Sequence, residues 1–308
     1  MNWICTLTQP GHIAQALVHF NRAEESADKD FSKTEACRSL FDGLNKIQTE
    51  WLIQRDDCDM GEVKAFQTMI TEVLQQESRE TFLQCKELRS FISFSPHIMN
   101  HDTLRRHKYR PDEEIDPRLA KKASEEHKRL ERAYNDYLTQ SSGKTEEERV
   151  LKRAAELLYI VRSNIAHGEK TPYGPDVKKT ERDEQISAVV VPVQFLLFNL
   201  FLDSPDQKLV VYGTLASGEA NHRMIADLAG HWEKCVIRGS FHETNGLPMF
   251  KWDPSGPEQD AQIFISPELP KKWDQLDRFE GISYQRRLIP TIVKNVISIS
   301  NIYLGNEC

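Results

Sequence analysis

Leu209-Val210-Val211-Tyr212-Gly213-Thr214-Leu215-Ala216-Ser217-Gly218-Glu219-Ala220-Asn221-His222 is the stretch whose reading decides the fold of the C-terminal third. Its run of β-formers, then glycine, then small and polar residues, reads as a strand, a glycine-bearing turn and a helix start. Backbone N–H groups at such a turn can hold a carboxylate. Just upstream, Asp203-Ser204-Pro205-Asp206-Gln207-Lys208 is polar and carries a proline. It separates helical from strand-like sequence, so the domain boundary is placed between residues 203 and 204. A chain of 308 residues is long enough for about two domains.

Downstream of the opening stretch, short strands are expected at Leu209–Tyr212, Val236–Phe241, Leu247–Trp252, Ala261–Ile265, Tyr284–Val293 and Ile297–Tyr303, with helices at Asn221–Ala229 and Pro267–Phe279. Upstream, the period changes to that of helices. Ile13, Ala16, Leu17 and Phe20 recur at i, i+3, i+4 and i+7, and Ala36, Leu40, Phe41, Leu44, Ile47 and Trp51 share one face of a second helix. Further helices are expected from Val63, over Phe82–Phe94, over Ala123–Leu138 and from Thr145. The prolines and charges of residues 95–120 read as an irregular excursion, and Thr171–Thr180 as a loop. The fold class is therefore an all-helical domain over 1–203 followed by a mixed α+β domain over 204–308.

The formal charge of −7 and pI near 5.9 exclude binding to polyanions by net charge alone. A local basic cluster of His97, His101, Arg105, Arg106, His107, Lys108 and Arg110 is answered directly by Asp112, Glu113, Glu114 and Asp116. An ordinary solvated surface explains it better than an RNA-facing loop. Six cysteines form no CxxC pair, which indicates neither a zinc ribbon nor a disulfide framework, so no metal or other cofactor is expected. No secretory signal follows Met1. The apolar stretch Ile186–Leu202 is shorter than the ~20 residues of a spanning helix and contains Pro192, Gln194 and Asn199. It reads as a buried helix of a cytoplasmic protein.

A second stretch carries polar chemistry at the end of an apolar helix: Tyr159-Ile160-Val161-Arg162-Ser163-Asn164-Ile165-Ala166-His167-Gly168. Positions five apart stand about 140° from each other around a regular helix. Arg162 and His167 cooperate only if the helix ends between them or if two chains meet across a twofold axis. Such a set suits metal-free RNA cleavage, with histidine moving a proton and arginine neutralising phosphate charge. A structural reading gives Arg162 an acidic partner, Asn164 a cap on a neighbouring helix and His167 a hydrogen bond in the core.

These residues resemble the R-x4-H signature of HEPN domains. That resemblance implies a bundle of four or five helices, usually dimeric, which in many members is an endoribonuclease of toxin or phage-defence systems. Arg162 and His167 would be catalytic, and Asn164 would position the phosphate or the histidine. The C-terminal stretch, with Leu276-Asp277-Arg278-Phe279-Glu280-Gly281 and Tyr284-Gln285-Arg286, resembles the gamma-glutamylcyclotransferase-like, or AIG2-like, family. Its YGTLxxGxxNH and LDxFEGxxYxR motifs stand here in order over residues 209–304. This second resemblance implies a small mixed barrel that releases 5-oxoproline from gamma-glutamyl amides. Tyr212, Gly213, Thr214 and Leu215, with Gly218, would bind the glutamyl head; Glu280 would take the proton from its amine; Tyr284 would line the pocket. Between the two motifs, Phe250-Lys251-Trp252 are bulky and charged where small apolar residues are expected.

Two functions follow. One is an RNA-cleaving homodimer of toxin or antiviral-defence type, with the C-terminal pocket sensing a gamma-glutamyl-type molecule. The alternative is a gamma-glutamylcyclotransferase-type enzyme that uses its helical domain for dimerisation. A scaffold in which both sites are relics is the third reading.

Overall fold

The computed structural model describes residues 3–7, 11–28, 32–109, 115–139, 143–168, 177–244 and 247–305. It divides into two compact units, Arg22–Phe198 and Met1–Asn21 together with Asn199–Cys308. The helical elements are α1 (Gly11–Asp28), α2 (Lys33–Gln54), α3 (Glu62–Val73), α4 (Gln76–Gln84), α5 (Lys86–Ile92), α6 (His101–Arg106), α7 (Pro117–Ala123), α8 (Glu125–Thr139), α9 (Lys144–Gly168), α10 (Val177–Phe201) and α11 (Trp273–Glu280).

The helical unit is built round α9, which packs against α2, α3 and α8. Val150, Leu151, Ala154, Ala155, Leu157, Leu158 and Val161 of α9 are all buried, because a helix surrounded by others needs apolar residues on most of its circumference. The unit holds α2 to α9 and most of α10, more helices than the four or five of the first resemblance. Helix α10 begins at Val177, earlier than expected, so part of the loop placed at 171–180 is helical and the rest lies outside the described residues. Its segment Glu181–Phe201 is long and apolar enough to cross a membrane, and half of its most apolar window is buried. Gln194 in this segment is fully buried and donates through Nε2 to the Cys37 carbonyl at 3.1 Å.

Residues 95–120 are less irregular than expected. Asn100 and Asp116 accept from the first N–H groups of α6 and α7, and Pro117 opens α7, the arrangement that favours a helix start. In the basic cluster Arg105 pairs with Asp102 at 2.6 Å and His97 with Glu131 at 2.8 Å. Arg110 and the acids at 112–114 lie outside the described residues.

The second unit carries β1 (Lys208–Val211), β2 (His231–Thr244), β3 (Leu247–Trp252), β4 (Glu258–Ile265), β5 (Tyr284–Val293) and β6 (Val296–Gly305). The strand order is β3-β2-β4-β1-β6-β5, and β2 also pairs with β5. The five strands β2, β4, β1, β6 and β5 thus close into a small barrel, with β3 extending from β2. Strand β1 runs antiparallel to β4 and parallel to β6. Its continuous apolar run is explained by burial on both faces. Val210 joins the cluster of Cys235, Ile237, Phe250, Ile263, Ile289 and Ile302, whereas Leu209 and Val211 join a separate one with Leu215, Phe264, Trp273, Leu276 and Tyr303.

All six expected strands are present. The helix expected at Asn221–Ala229 is not: only a 3-10 turn at His222–Met224 forms there. Asn221 instead donates from its backbone N–H to the Thr214 carbonyl at 2.9 Å and from Nδ2 to Thr214 Oγ1 at 2.8 Å. These bonds fold the segment back on the turn after β1 and compete with helix formation.

The N-terminal residues group with the barrel rather than with the helices that follow them in sequence. Asn21 Nδ2 donates to the Leu288 carbonyl at 3.3 Å, and Leu288 N–H donates to Asn21 Oδ1 at 3.0 Å. Trp3 Nε1 donates to the Phe201 carbonyl at 3.1 Å. Residues 1–21 thus group with the segment from residue 199 onward.

Gly239 is where β2 changes partner, from β4 over residues 231–238 to β3 from 239 onward. Its φ is +151°, and a Cβ there would meet the Lys251 carbonyl oxygen at 2.2 Å. Gly239→Ala is therefore expected to destabilise the barrel unit by about 2 kcal/mol or more, measured as a fall in its denaturation midpoint.

Candidate active site

The turn after β1 and the C-terminal end of α11 face one cavity of about 280 Å³. Tyr212, Gly213, Thr214 and Leu215 line it from the turn, and Glu280, Ser283 and Tyr284 from the end of α11 and the start of β5; Val210, Val211, Asn221, Pro248, Phe279 and Tyr303 complete the wall. The turn is held in shape by Ala216 N–H donating to the Gly213 carbonyl at 3.0 Å and by the two Asn221 bonds to Thr214. Tyr212 Oη donates to the Tyr303 carbonyl at 2.6 Å, and Tyr284 Oη to the Pro248 carbonyl at 2.9 Å. Both tyrosines are pushed up from the usual phenol range, first by burial, so they are neutral donors.

Glu280 is the carboxylic acid among the lining residues. Burial, reinforced by the negative charge of Asp277, raises its pKa to about 7. A carboxyl tuned to neutrality by desolvation next to a cavity is suited to taking and returning a proton.

Asp277, one turn before Glu280, is fixed by a two-bond pair with Arg286, Nε to Oδ1 at 3.0 Å and Nη2 to Oδ2 at 3.2 Å. It also accepts from Tyr303 Oη at 2.6 Å. The Arg286 guanidinium stacks 4.7 Å from the centre of the Trp273 ring and reaches Asn301 Oδ1 at 3.3 Å. Register places Arg286 opposite Tyr303 across β5 and β6. A charged network of this kind locks the last turn of α11 against the barrel wall and fixes where Glu280 points.

Of the expected pocket residues, Tyr212, Gly213, Thr214, Leu215, Tyr284 and Glu280 line one cavity, whereas Gly218 does not. Gly218 has φ +87° with open space at its Cβ position; its part is to let the turn close. Phe250, one of the bulky residues between the motifs, is fully buried in the barrel interior, and Lys251, next on the strand, is exposed. The bulky residues therefore do not fill the cavity. Asn221 and Tyr303 line it without having been assigned a role. Asn221 stands in the first motif, so its signal was in the sequence; Tyr303 reaches the site only through strand register.

The helical stretch is arranged differently. Helix α9 runs without a break through Arg162 and on to Gly168, so one chain does not bring positions 162 and 167 to one face. Arg162 Nη1 pairs with Glu62 Oε2 at 3.0 Å, and its guanidinium lies 5.5 Å from the Tyr159 ring centre. Asn164 is 4% exposed, accepts from His101 N–H at 3.0 Å and donates to the Met99 carbonyl at 2.8 Å. It caps the start of α6 and is not placed to meet a phosphate, because both ends of its amide are engaged by part-buried backbone. The side chain of His167 lies outside the described residues.

No protein-family model matches the chain, and no curated protein matches it either. Solved structures similar to part of it include YkqA from Bacillus subtilis, at 27% identity and TM-score 0.28 over 32% of this chain and 36% of that one. The similarity thus spans about a third of the Bacillus protein. An AIG2-like protein from Mus musculus matches at 22% identity and TM-score 0.27 over 32% of this chain and 76% of its own. An uncharacterized protein from Pyrococcus horikoshii matches at 17% identity and TM-score 0.26 over 33% and 79%.

Two measurements check this geometry. The folded-state pKa of Glu280, about 7, lies above its ordinary 4.5, so the folded state holds this proton more tightly than the unfolded state. The stabilisation is complete below pH 4.5 and is lost as pH rises through 7. Thermal melts of Glu280→Gln are expected to lack this loss and to exceed wild type at pH 8. Asn164→Ala removes both hydrogen bonds to the part-buried backbone of Met99 and His101 and is expected to lower the stability of the helical unit by about 2 kcal/mol, read by chemical denaturation.

Proposed function

We propose that the protein is a gamma-glutamylcyclotransferase-type enzyme, releasing 5-oxoproline and an amine from a gamma-glutamyl amide. The observation that carries this reading is the placement of Glu280, raised to about pH 7, in the same cavity as the Tyr212–Leu215 turn. In this reading the turn's backbone N–H groups hold the α-carboxylate, as anions are held where successive N–H groups converge. The α-amino nitrogen then stands beside Glu280 and next to the side-chain carbonyl carbon.

Glu280, as the carboxylate, takes a proton from the α-ammonium, and the freed nitrogen attacks the carbonyl carbon. The new C–N bond closes the five-membered lactam, and the bond to the leaving nitrogen breaks. The two protons shed by the α-ammonium end on the leaving amine, which departs as an ammonium ion; no water is consumed. Intramolecular attack needs little beyond orientation and proton transfer, which the turn and Glu280 supply. Tyr212 and Tyr284, as neutral phenols, fix the cavity wall. Arg162 and Asn164 have structural work in the helical unit and no part in this reaction.

Purified protein incubated with gamma-glutamyl amides is expected to release 5-oxoproline. Glu280→Gln is expected to lower kcat by about 10²–10⁴. Because the base acts only when ionised, kcat is expected to rise with pH through about 7 and to be lost below it. No 5-oxoproline from any gamma-glutamyl amide would refute the proposal.

A further inference from the structure

The segment between α5 and α6, residues 93–100, is held in the helical unit by side chains of three later helices. Arg182 of α10 donates to the Pro96 carbonyl and lies 4.4 Å from the centre of the Phe94 ring. Asn164 of α9 accepts from His101 N–H and donates to the Met99 carbonyl. His127 of α8 is the third anchor: its Nδ1 accepts from Ile98 N–H at 2.8 Å, and its Nε2 donates to the Ile92 carbonyl at 2.7 Å. His127 is fully buried. A backbone N–H can only donate and a carbonyl can only accept, so these two bonds fix one neutral tautomer, with the proton on Nε2.

Of these three anchors the histidine is the one that titrates near neutral pH. A second proton has to enter at Nδ1, where it faces the Ile98 N–H, and two donors cannot share that position. Burial holds the imidazole below its usual range, and His97 and Arg182 oppose a further positive charge, whereas Glu131 favours one. Glu131 is itself engaged by His97, Nε2 to Oε2 at 2.8 Å, and the His97 ring stands edge-on to His127 at 4.9 Å. Protonation of His97 tightens its pair with Glu131, so acid strengthens that contact while it breaks the one from His127 to Ile98.

We infer that residues 93–100 form an acid-released strap: proton uptake at His127 Nδ1 detaches Ile98 and frees the segment together with α6. Release uncovers Ile98 and Leu104, both buried in the closed form. The closed form binds this proton less well than the open one. Closure is therefore complete above the ordinary histidine value of 6.5 and is lost as pH falls below it. The strap belongs to the helical unit and is independent of the cyclotransferase reading.

Native-state hydrogen exchange on the full chain from about pH 7.5 to about pH 5, corrected for the intrinsic rate, tests it. Protection of the Ile98 and Leu104 amides is expected to fall by up to about 10-fold per pH unit below 6.5, while that of Leu157 in α9 holds. His127→Gln, whose amide can accept from Ile98 and donate to Ile92 without titrating, is expected to remove the pH dependence. His97→Gln is expected to keep it. Ile98 protection that does not change with pH, a dependence that survives His127→Gln, or loss at Leu157 in step with Ile98 would overturn the inference. If His127→Gln does not fold, nitrogen NMR of the wild-type histidine side chains decides. Protonation of His127 at Nδ1 is expected to coincide with the loss of Ile98 protection. A His127 that gains its second proton while Ile98 stays protected would overturn the strap.

Discussion

The barrel unit depends on one constraint: β1 is buried on both faces. Val210 has to fill the closed ring of strands while Leu209 and Val211 fill the cluster that seats α11. The chain therefore leaves the sheet at Tyr212 with no freedom in register, since a slip of one residue would exchange the two faces. The turn that follows is held beside the end of α11 because Leu215, Leu276 and Trp273 share that outer cluster. The cavity is the space left between these two ends, and its position is a consequence of core packing.

Electrostatics then sets what the cavity can do. Asp277 and Glu280 sit three residues apart near the end of one helix, on neighbouring positions of its surface. Asp277 is matched by Arg286 and by the Tyr303 hydroxyl. Glu280 has the desolvating wall of the cavity and the repulsion of Asp277, which together push it to about 7. Two carboxylates of similar sequence context are driven apart in role by their partners: Asp277 anchors the helix, and Glu280 is left to titrate.

The two halves of the chain were legible to different degrees. The strands were readable because β-branched and aromatic runs alternate with turn residues, and all six stand where the periodicity places them. The pocket residues Tyr212–Leu215 and Glu280 were readable because they occur in linked motifs. Tyr303 was not, since its place depends on the register between β5 and β6. The helix expected after Asn221 failed because side-chain bonds to Thr214 outweighed local propensity. In the helical unit, Arg162 and Asn164 looked like chemistry from spacing alone. Their partners, Glu62 and the backbone of Met99 and His101, are distant in sequence, and no local pattern reveals such pairings. The grouping of residues 1–21 with the barrel was hidden for the same reason, because it rests on bonds such as Asn21 to Leu288 across most of the chain.

The proposed proton transfer depends on the ionisation of one carboxyl in the cavity, that of Glu280. Isotope-edited infrared or carbon NMR titration of the Glu280 side chain, assigned by comparison with Glu280→Gln, reads it directly. The structure predicts an apparent pKa of about 7. A value at the ordinary 4.5 would show a solvated surface acid and contradict the role of Glu280 as the proton-transferring group.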